Sequence, residues 1–465
     1  MTNQSQDGGI PVSVLVAALS RALDLTEGEP LGHSLRTAWI GLSIARALQL
    51  SAPERNDLFY ALLLKDAGCT ANAHQVSEWF GTDDRSAKYD LKVVNWTRFM
   101  EAARYAAAHA RPDGPWLSRL RQMAAVSRRG PGAARRLVEM RCTRGADLVR
   151  QMGWVDLAPD AVLNLDEHWD GSGHPAGLRG EAIPRLARVL LLAQQVEIFR
   201  SRFGSDAARS MARQRRGRWF DPELVDAFWA ISDAPSYWQA VVDINDPRVV
   251  VGWEVGDTRI LHSTTDLLPI AQAFAEIVDA KSPWTHAHSV RTAEYSRRIA
   301  ERMGLTEEEC LAALLAGFYH DLGKLGVSNL VLDKPGPLSA AEVAQVRRHP
   351  ALTAEILTPL DPLAEVAQVA AAHHERLDGS GYHQGLTRDT LPLLAQVVAA
   401  ADVFDALTSE RPYKTAQDPD SALRLMGRDA PRKLSAPVLT ALAEAVTGER
   451  DGSGGIPQTA RGQNH

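Results

Sequence analysis

Apolar positions recur at three- and four-residue spacing through Leu35–Leu48, Ala133–Met152, Ala293–Met303 and Leu391–Leu407. That is the period of amphipathic helices, and it predicts an all-α fold. Turn residues punctuate the pattern at Asp113-Gly114-Pro115, Gly130-Pro131-Gly132, Lys334-Pro335-Gly336-Pro337 and Asp378-Gly379-Ser380-Gly381. One stretch, about Ala240 to Leu261, has strand character, because Val241-Val242 and Val249-Val250-Val251 flank Asn245-Asp246-Pro247. It is expected to form a short irregular or β connector, as a hairpin. No apolar run approaches the ~20 residues that a membrane span requires. The opening MTNQSQDGGIPVS lacks the basic and apolar regions of a secretory signal, so a cytoplasmic protein is expected.

A chain of 465 residues exceeds what one hydrophobic core serves, and its two halves are related. His33-Ser34-Leu35-Arg36-Thr37-Ala38 recurs 255 positions later as His288-Ser289-Val290-Arg291-Thr292-Ala293, and in that register Lys65-Asp66-Ala67-Gly68 falls on His320-Asp321-Leu322-Gly323. Glu167 to Gly173 recurs 208 positions later as Glu375 to Gly381, which also superposes Pro184 on Pro392. The chain therefore reads as a tandem duplication whose first copy holds 47 more residues between its second and third motifs. The expected boundaries are a first domain over 1–235 with an insertion at about 71–120, a connector over 236–265, a second domain over 266–447, and a disordered Gly-, Ser- and Gln-rich tail over 448–465. The charge run of the insertion reads as a solvated lobe.

With 51 basic and 57 acidic residues the net charge is -6, which argues against sequence-independent binding of a nucleic-acid polymer but not against a small phosphorylated ligand. Cys69, Cys142 and Cys310 are odd in number and form no CxxC pair, so neither a disulfide framework nor a zinc ribbon is suggested.

Seven candidate metal ligands lie in the second copy: His288, His320, Asp321, His349, His373, His374 and Asp402. Carried into the first copy, His320 becomes Lys65, His349 becomes Arg141, His373-His374 becomes Leu165-Asp166, and Asp402 becomes Gln194; only His33 and Asp66 survive. Features that both copies share, such as the DGSG turn and the HSxRTA helix start, are architecture on this comparison, and features confined to the second copy are chemistry. Adjacent residues on a helix lie about 100° apart, so His320 and Asp321 are expected on one helix with both side chains reaching a common ion. Asp321 has two oxygens and can bridge two ions. His288, His320 and Asp402 would then complete one shell, and His349, His373 and His374 the other. This donor set suits two divalent transition ions, Fe or Mn first and Zn as the alternative, rather than Ca or Mg. Such a pair implies hydrolysis of a P–O bond. Lys324, Arg411 and Lys414 supply cations for an anionic substrate, and their first-copy counterparts Cys69, Phe203 and Asp206 do not. Asp405, one turn after Asp402, is expected to orient a ligand or hold a basic side chain.

The segments HSVRTAEYS, HDLGKLGV, KPGPL, RRHP, AAHHERLDGSGYHQGL, AAADVFDAL and SERPYK resemble the HD-GYP subgroup of HD-domain phosphohydrolases, over roughly Asp266 to Val446. The resemblance implies tandem HD-type helical bundles and hydrolysis of cyclic di-GMP to linear pGpG or GMP. It assigns metal binding to the seven positions above, catalytic roles to Asp321 and Lys324, and phosphate contacts to Lys324, Arg411 and Lys414, with Tyr382 near the ligand. The Gly-Tyr-Pro signature here reads Gly381-Tyr382-His383, and Trp284 stands where some members carry a glutamate for a third ion, so two ions are expected. The alternatives are a phosphohydrolase of another nucleotide and a catalytically weak module that binds nucleotides or signalling proteins. The expected partners are a cyclic dinucleotide and signalling proteins, with neither a nucleic-acid polymer nor a membrane. The degenerate copy is expected to pack on the active one as an internal pseudo-dimer.

Overall fold

The computed structural model of the chain describes residues 9–95, 98–112, 114–129, 131–253, 255, 257, 259–410 and 415–450. Helices dominate, and the tail from 451 lies outside the described residues. The chain forms two compact bodies. One takes residues up to His286 together with Asp321–Ala364; the other takes Ala287–His320 and the residues from Glu365 on. The division runs through the peptide bond joining His320 to Asp321.

The expected helices form as His33–Ala47, Pro131–Gln151, His288–Arg302 and Leu393–Thr408. The connector does not form the expected hairpin. Val241-Val242 closes the helix Pro235–Val242, and the second valine run lies in a 3-10 helix, Pro247–Trp253. A proline at N1 starts the first helix, and Asp246 accepts a hydrogen bond from the Arg248 N–H at 2.9 Å, so local turn chemistry outweighs β propensity. Ile260–Leu261 is a strand, but it pairs antiparallel with Ile10–Pro11 rather than with the valines. The insertion is helical, with Ala73–Phe80, Asp84–Leu91, Phe99–His109 and Trp116–Arg129.

The repeat seen in sequence recurs in detail. Helices Ala52–Leu64 and Glu307–Tyr319 both open with a capping box, Ser51 with Glu54 and Thr306 with Glu309, at the same offset. Glu167 accepts from the backbone N–H groups of Ala176, Gly177 and Leu178 at 2.6–3.0 Å, and Glu375 from those of Gln384, Gly385 and Leu386 at 2.7–3.1 Å. The DGSG loops are thus folded around a buried glutamate in both copies.

In the first body, helix Val12–Thr26 is buried on nearly every face. It packs against His33–Ala47, Ala52–Leu64, the 3-10 helix Leu322–Gly326 and the helix His349–Leu357. Segments of both sequence copies therefore share this core. Polar ties reinforce it: Arg85 Nη1 donates to the Gly326 carbonyl at 2.7 Å, and Asp84 accepts from the Asn329 N–H at 2.9 Å while facing Lys281 Nζ at 3.3 Å. In the second body, helix His288–Arg302 packs on Glu307–Tyr319, Leu393–Thr408 and Ala436–Arg450.

Two glycines permit close backbone approach. A Cβ on Gly323 would lie 2.0 Å from the His349 carbonyl oxygen, and one on Gly68 1.9 Å from that of Arg141. The shared contact places Arg141 where the second copy has His349, as the alignment expects. Gly323→Ala should therefore cost about 1–3 kcal/mol in urea unfolding, whereas Gly336→Ala, where nothing lies within 4 Å, should change stability by less than about 0.5 kcal/mol. Equal stability of the two variants would contradict the packing described.

Candidate metal centre

Helix Glu307–Tyr319 ends one residue before the ligand pair. His320 keeps helical φ and ψ of -53° and -37°, but Asp321 turns to -98° and 8° at the start of the 3-10 helix Leu322–Gly326. His320 and Asp321 thus do not share one helix, contrary to expectation. The chain tightens there through a bond from the Lys324 N–H to the Asp321 carbonyl at 2.8 Å and through the seat of Gly323 against His349.

The second body brings five of the expected donors together. Asp402 places Oδ1 3.3 Å from His288 Nε2 and 4.0 Å from His320 Nε2, and Oδ2 3.9 Å from His374 Nδ1. Ring centroids are 5.3 Å apart for His288 and His320, 4.9 Å for His320 and His373, and 4.0 Å for His373 and His374. In the first body His349 Nε2 lies 3.4 Å from Asp321 Oδ1, and Lys324 Nζ donates to Asp321 Oδ2 at 2.5 Å.

The other ring nitrogens explain why these imidazoles suit a cation. Nδ1 of His320 faces the Gly317 carbonyl at 2.7 Å, that of His349 the Val346 carbonyl at 2.7 Å, and that of His373 the Ala370 carbonyl at 2.6 Å. A carbonyl can only accept, so Nδ1 carries the proton in each ring and the lone pair of the neutral imidazole sits on Nε2. In His288 the Nδ1 partner is Asp405 Oδ2 at 2.6 Å. Metal-ligating histidines are held in this way, with the far nitrogen tied to a carbonyl or carboxylate. The donor set, imidazole and carboxylate without thiolate, fits Fe, Mn or Zn.

The electrostatics point the same way. Burial opposes a charge on His288, but hydrogen bonds and charges from Asp402 and Asp405 outweigh it and push its pKa up to about 9. Burial likewise opposes ionisation of Asp402, yet His288, His374 and His320 hold it well below the usual carboxylate range. The local excess of negative charge that favours a proton on His288 also favours a cation.

The corresponding place in the first copy is filled by side-chain cations. The buried Lys65 pairs with Asp66, and Arg141 pairs with Asp166. From the insertion, Lys88 and Lys92 turn inward to Glu27 at 3.6 and 3.2 Å rather than lying in a solvated lobe. Glu27, Asp66 and Cys69 have donor atoms within 4.8 Å of one another. Burial and the neighbouring carboxylates push the Cys69 thiol well up, however, and Lys88 donates to the Cys69 carbonyl at 2.5 Å, so this cluster is neutralised from within. The surviving His33 keeps its Nδ1 4.0 Å from Glu197, and burial together with Lys65, Lys92, Arg36 and Arg202 pushes its pKa well down.

Of the substrate contacts expected, Lys324 has a side chain 19% exposed, and the Tyr382 ring lies 4.8 Å from that of His374. Arg411 and Lys414 lie outside the described residues. Asp405 holds both a candidate ligand and a basic side chain, His288 and Arg291. Arg291 escaped the sequence reading because HSxRTA occurs in both copies; an acidic residue at the aligned positions 197 and 405 was the available signal.

Residues 85–224 and 272–435 match the HD-domain family, one match in each copy. Over 436 residues the chain is 37% identical to 3'3'-cGAMP-specific phosphodiesterase 3 of Vibrio cholerae, covering 94% of this chain and 95% of that protein. The cyclic di-GMP phosphodiesterase response regulator RpfG of Xanthomonas campestris is 42% identical over 151 residues, 32% of this chain and 40% of that one. The crystal structure of a cyclic GMP-AMP specific phosphodiesterase of V. cholerae aligns with a TM-score of 0.66 at 34% identity, over 95% of this chain and 98% of that one.

Replacing Lys65 by Met would leave Asp66 buried without its ammonium partner. A loss of about 3–5 kcal/mol is expected in urea unfolding, with no change in metal content by plasma mass spectrometry. Unchanged stability, or metal bound at Asp66 in the wild-type chain, would contradict the neutralised site.

Proposed function

The chain belongs to the HD-GYP group of HD-domain proteins, and on that premise we propose that it is a metal-dependent phosphodiesterase that opens 3'3'-cGAMP to a linear dinucleotide. One observation carries the substrate. The relative named for 3'3'-cGAMP aligns with 94% of this chain, both copies included, whereas the one named for cyclic di-GMP aligns with 32%. Hydrolysis of cyclic di-GMP is the second reading, favoured by the 42% identity of that shorter match. Among the described residues no helix is long and apolar enough to cross a membrane.

In this reading His288, His320 and Asp402 would serve one ion and His349, His373 and His374 the other, with Asp321 as a further ligand; Fe or Mn comes first and Zn is the alternative. When bound, the ions supply a solvent nucleophile that deprotonates near neutral pH and positive charge for the phosphoryl oxygens. The chain's own groups prepare the site. The Nδ1 bonds to Gly317, Val346, Ala370 and Asp405 hold the imidazoles in one tautomer and orientation. Lys324, bonded to Asp321 and partly exposed, orients that carboxylate and offers an ammonium to phosphate. Tyr382, packed on His374, offers a ring face to a base or ribose. Attack on phosphorus forms one P–O bond and breaks the bond to the 3' oxygen, which takes up a proton.

Incubating Mn-loaded protein with 3'3'-cGAMP, cyclic di-GMP and cyclic di-AMP, with products separated by liquid chromatography, tests the proposal. Linear product should form from 3'3'-cGAMP with kcat/KM about tenfold or more above that for cyclic di-GMP. The reverse order favours the second reading, and binding without turnover sinks both. Chelation should abolish turnover and Mn(II) restore it. Asp402→Asn should lower kcat/KM at least about 100-fold, with the circular dichroism spectrum unchanged.

A further inference from the structure

We propose that Arg291 is a positioning residue of the metal centre, acting through Asp405 on the His288 ring; the inference rests on the two-ion reading above. Arg291 Nε bonds Asp405 Oδ1 at 2.5 Å and Nη2 bonds Oδ2 at 3.1 Å, while Oδ2 also accepts from His288 Nδ1 at 2.6 Å. Two nearly parallel bonds from a planar guanidinium fix the plane of a carboxylate, which one ammonium cannot do. Nη2 also donates to Ser409 Oγ at 2.9 Å, and Ser409 Oγ donates to Asp405 Oδ2 at 3.3 Å. Asp405 is 1% exposed and Arg291 29%, so the guanidinium closes the outer edge of the group.

The placement along the chain gives the pair its leverage. Arg291 lies three residues after His288 on one helix, and Asp405 three after Asp402 on the helix packed against it. The fork therefore ties together the two helices whose ligands His288 and Asp402 stand 3.3 Å apart.

The first copy supplies an internal control. Arg36 and Glu197, at the aligned positions, make the same kind of pair, with Nε to Oε1 at 2.6 Å. There Arg200 takes the carboxylate as well, at 2.6 and 3.0 Å, and His33 Nδ1 stays 4.0 Å away. Thr408 stands in the second copy where the first has Arg200, and its hydroxyl donates to the Phe404 carbonyl at 2.9 Å. The arginine–carboxylate pair is thus common architecture. In the second copy the free edge of the carboxylate is turned to a ligand ring; in the first it is turned to a second arginine.

Full-length Arg291→Lys and Arg36→Lys, each retaining charge but losing the planar guanidinium, separate the roles. Thermal unfolding and Mn(II) affinity by equilibrium dialysis are the readouts. Both variants should lose thermal stability, but only Arg291→Lys should bind Mn(II) about 10- to 100-fold more weakly. Arg291→Gln, which keeps a planar amide, should bind Mn(II) more weakly than wild type by a smaller factor and provides the measurement should Arg291→Lys fail to fold. If the Arg291 variants lose stability as Arg36→Lys does while binding Mn(II) as wild type does, the positioning role is wrong and the metal reading stands. If wild type binds no Mn(II), the metal reading falls and takes this inference with it.

Discussion

Carboxylates removed from water have to be matched by positive charge, and this demand shapes both copies of the chain. In the second copy Asp402 faces His288, His320 and His374, and the far nitrogens of His288 and His320 are committed to Asp405 and to a carbonyl. In the first copy Lys65, Lys88, Lys92 and Arg141 bring ammonium and guanidinium groups directly to Asp66, Glu27 and Asp166. One arrangement is suited to exchangeable cations, the other is closed by covalently attached ones. The duplication therefore kept an architecture and changed how its charge is balanced.

What was kept is specific. The glycine seats at 68 and 323, the glutamate-centred loops at 167 and 375, and the arginine–carboxylate pairs at 36 and 291 recur at the same offsets. Each solves a local problem that does not depend on metal: close backbone approach, unsatisfied loop N–H groups, and the joining of two helices. Chemistry was then added or lost by changing a few side chains against this constant frame. The pair at 291 shows that a frame element can acquire a further use when its neighbour changes, since Thr408 in place of arginine leaves Asp405 available to His288.

The helices were legible because their apolar spacing is long and regular, and the candidate donors stood out because the first copy lacks most of them. Three features were not legible. The valine runs near 242 and 250 carry β propensity, but they follow Pro235 and Pro247 into a helix and a 3-10 helix. The break between Tyr319 and Asp321 is set by a backbone contact from Gly323 to His349, which no window of sequence contains. Lys88 and Lys92 looked like solvated charges because their partners Glu27 and Glu29 lie some sixty residues away, on a segment that reads as ordinary polar turn.

The central claim is that the carboxyl-terminal copy holds two ions while the amino-terminal copy balances its own charge. Anomalous diffraction from crystals of the full chain grown with Mn(II) tests it most directly. The account predicts two peaks bounded by His288, His320, Asp321, His349, His373, His374 and Asp402, and none beside Asp66 and Glu27. A peak at Asp66, or density for metal anywhere but among those seven side chains, would contradict it.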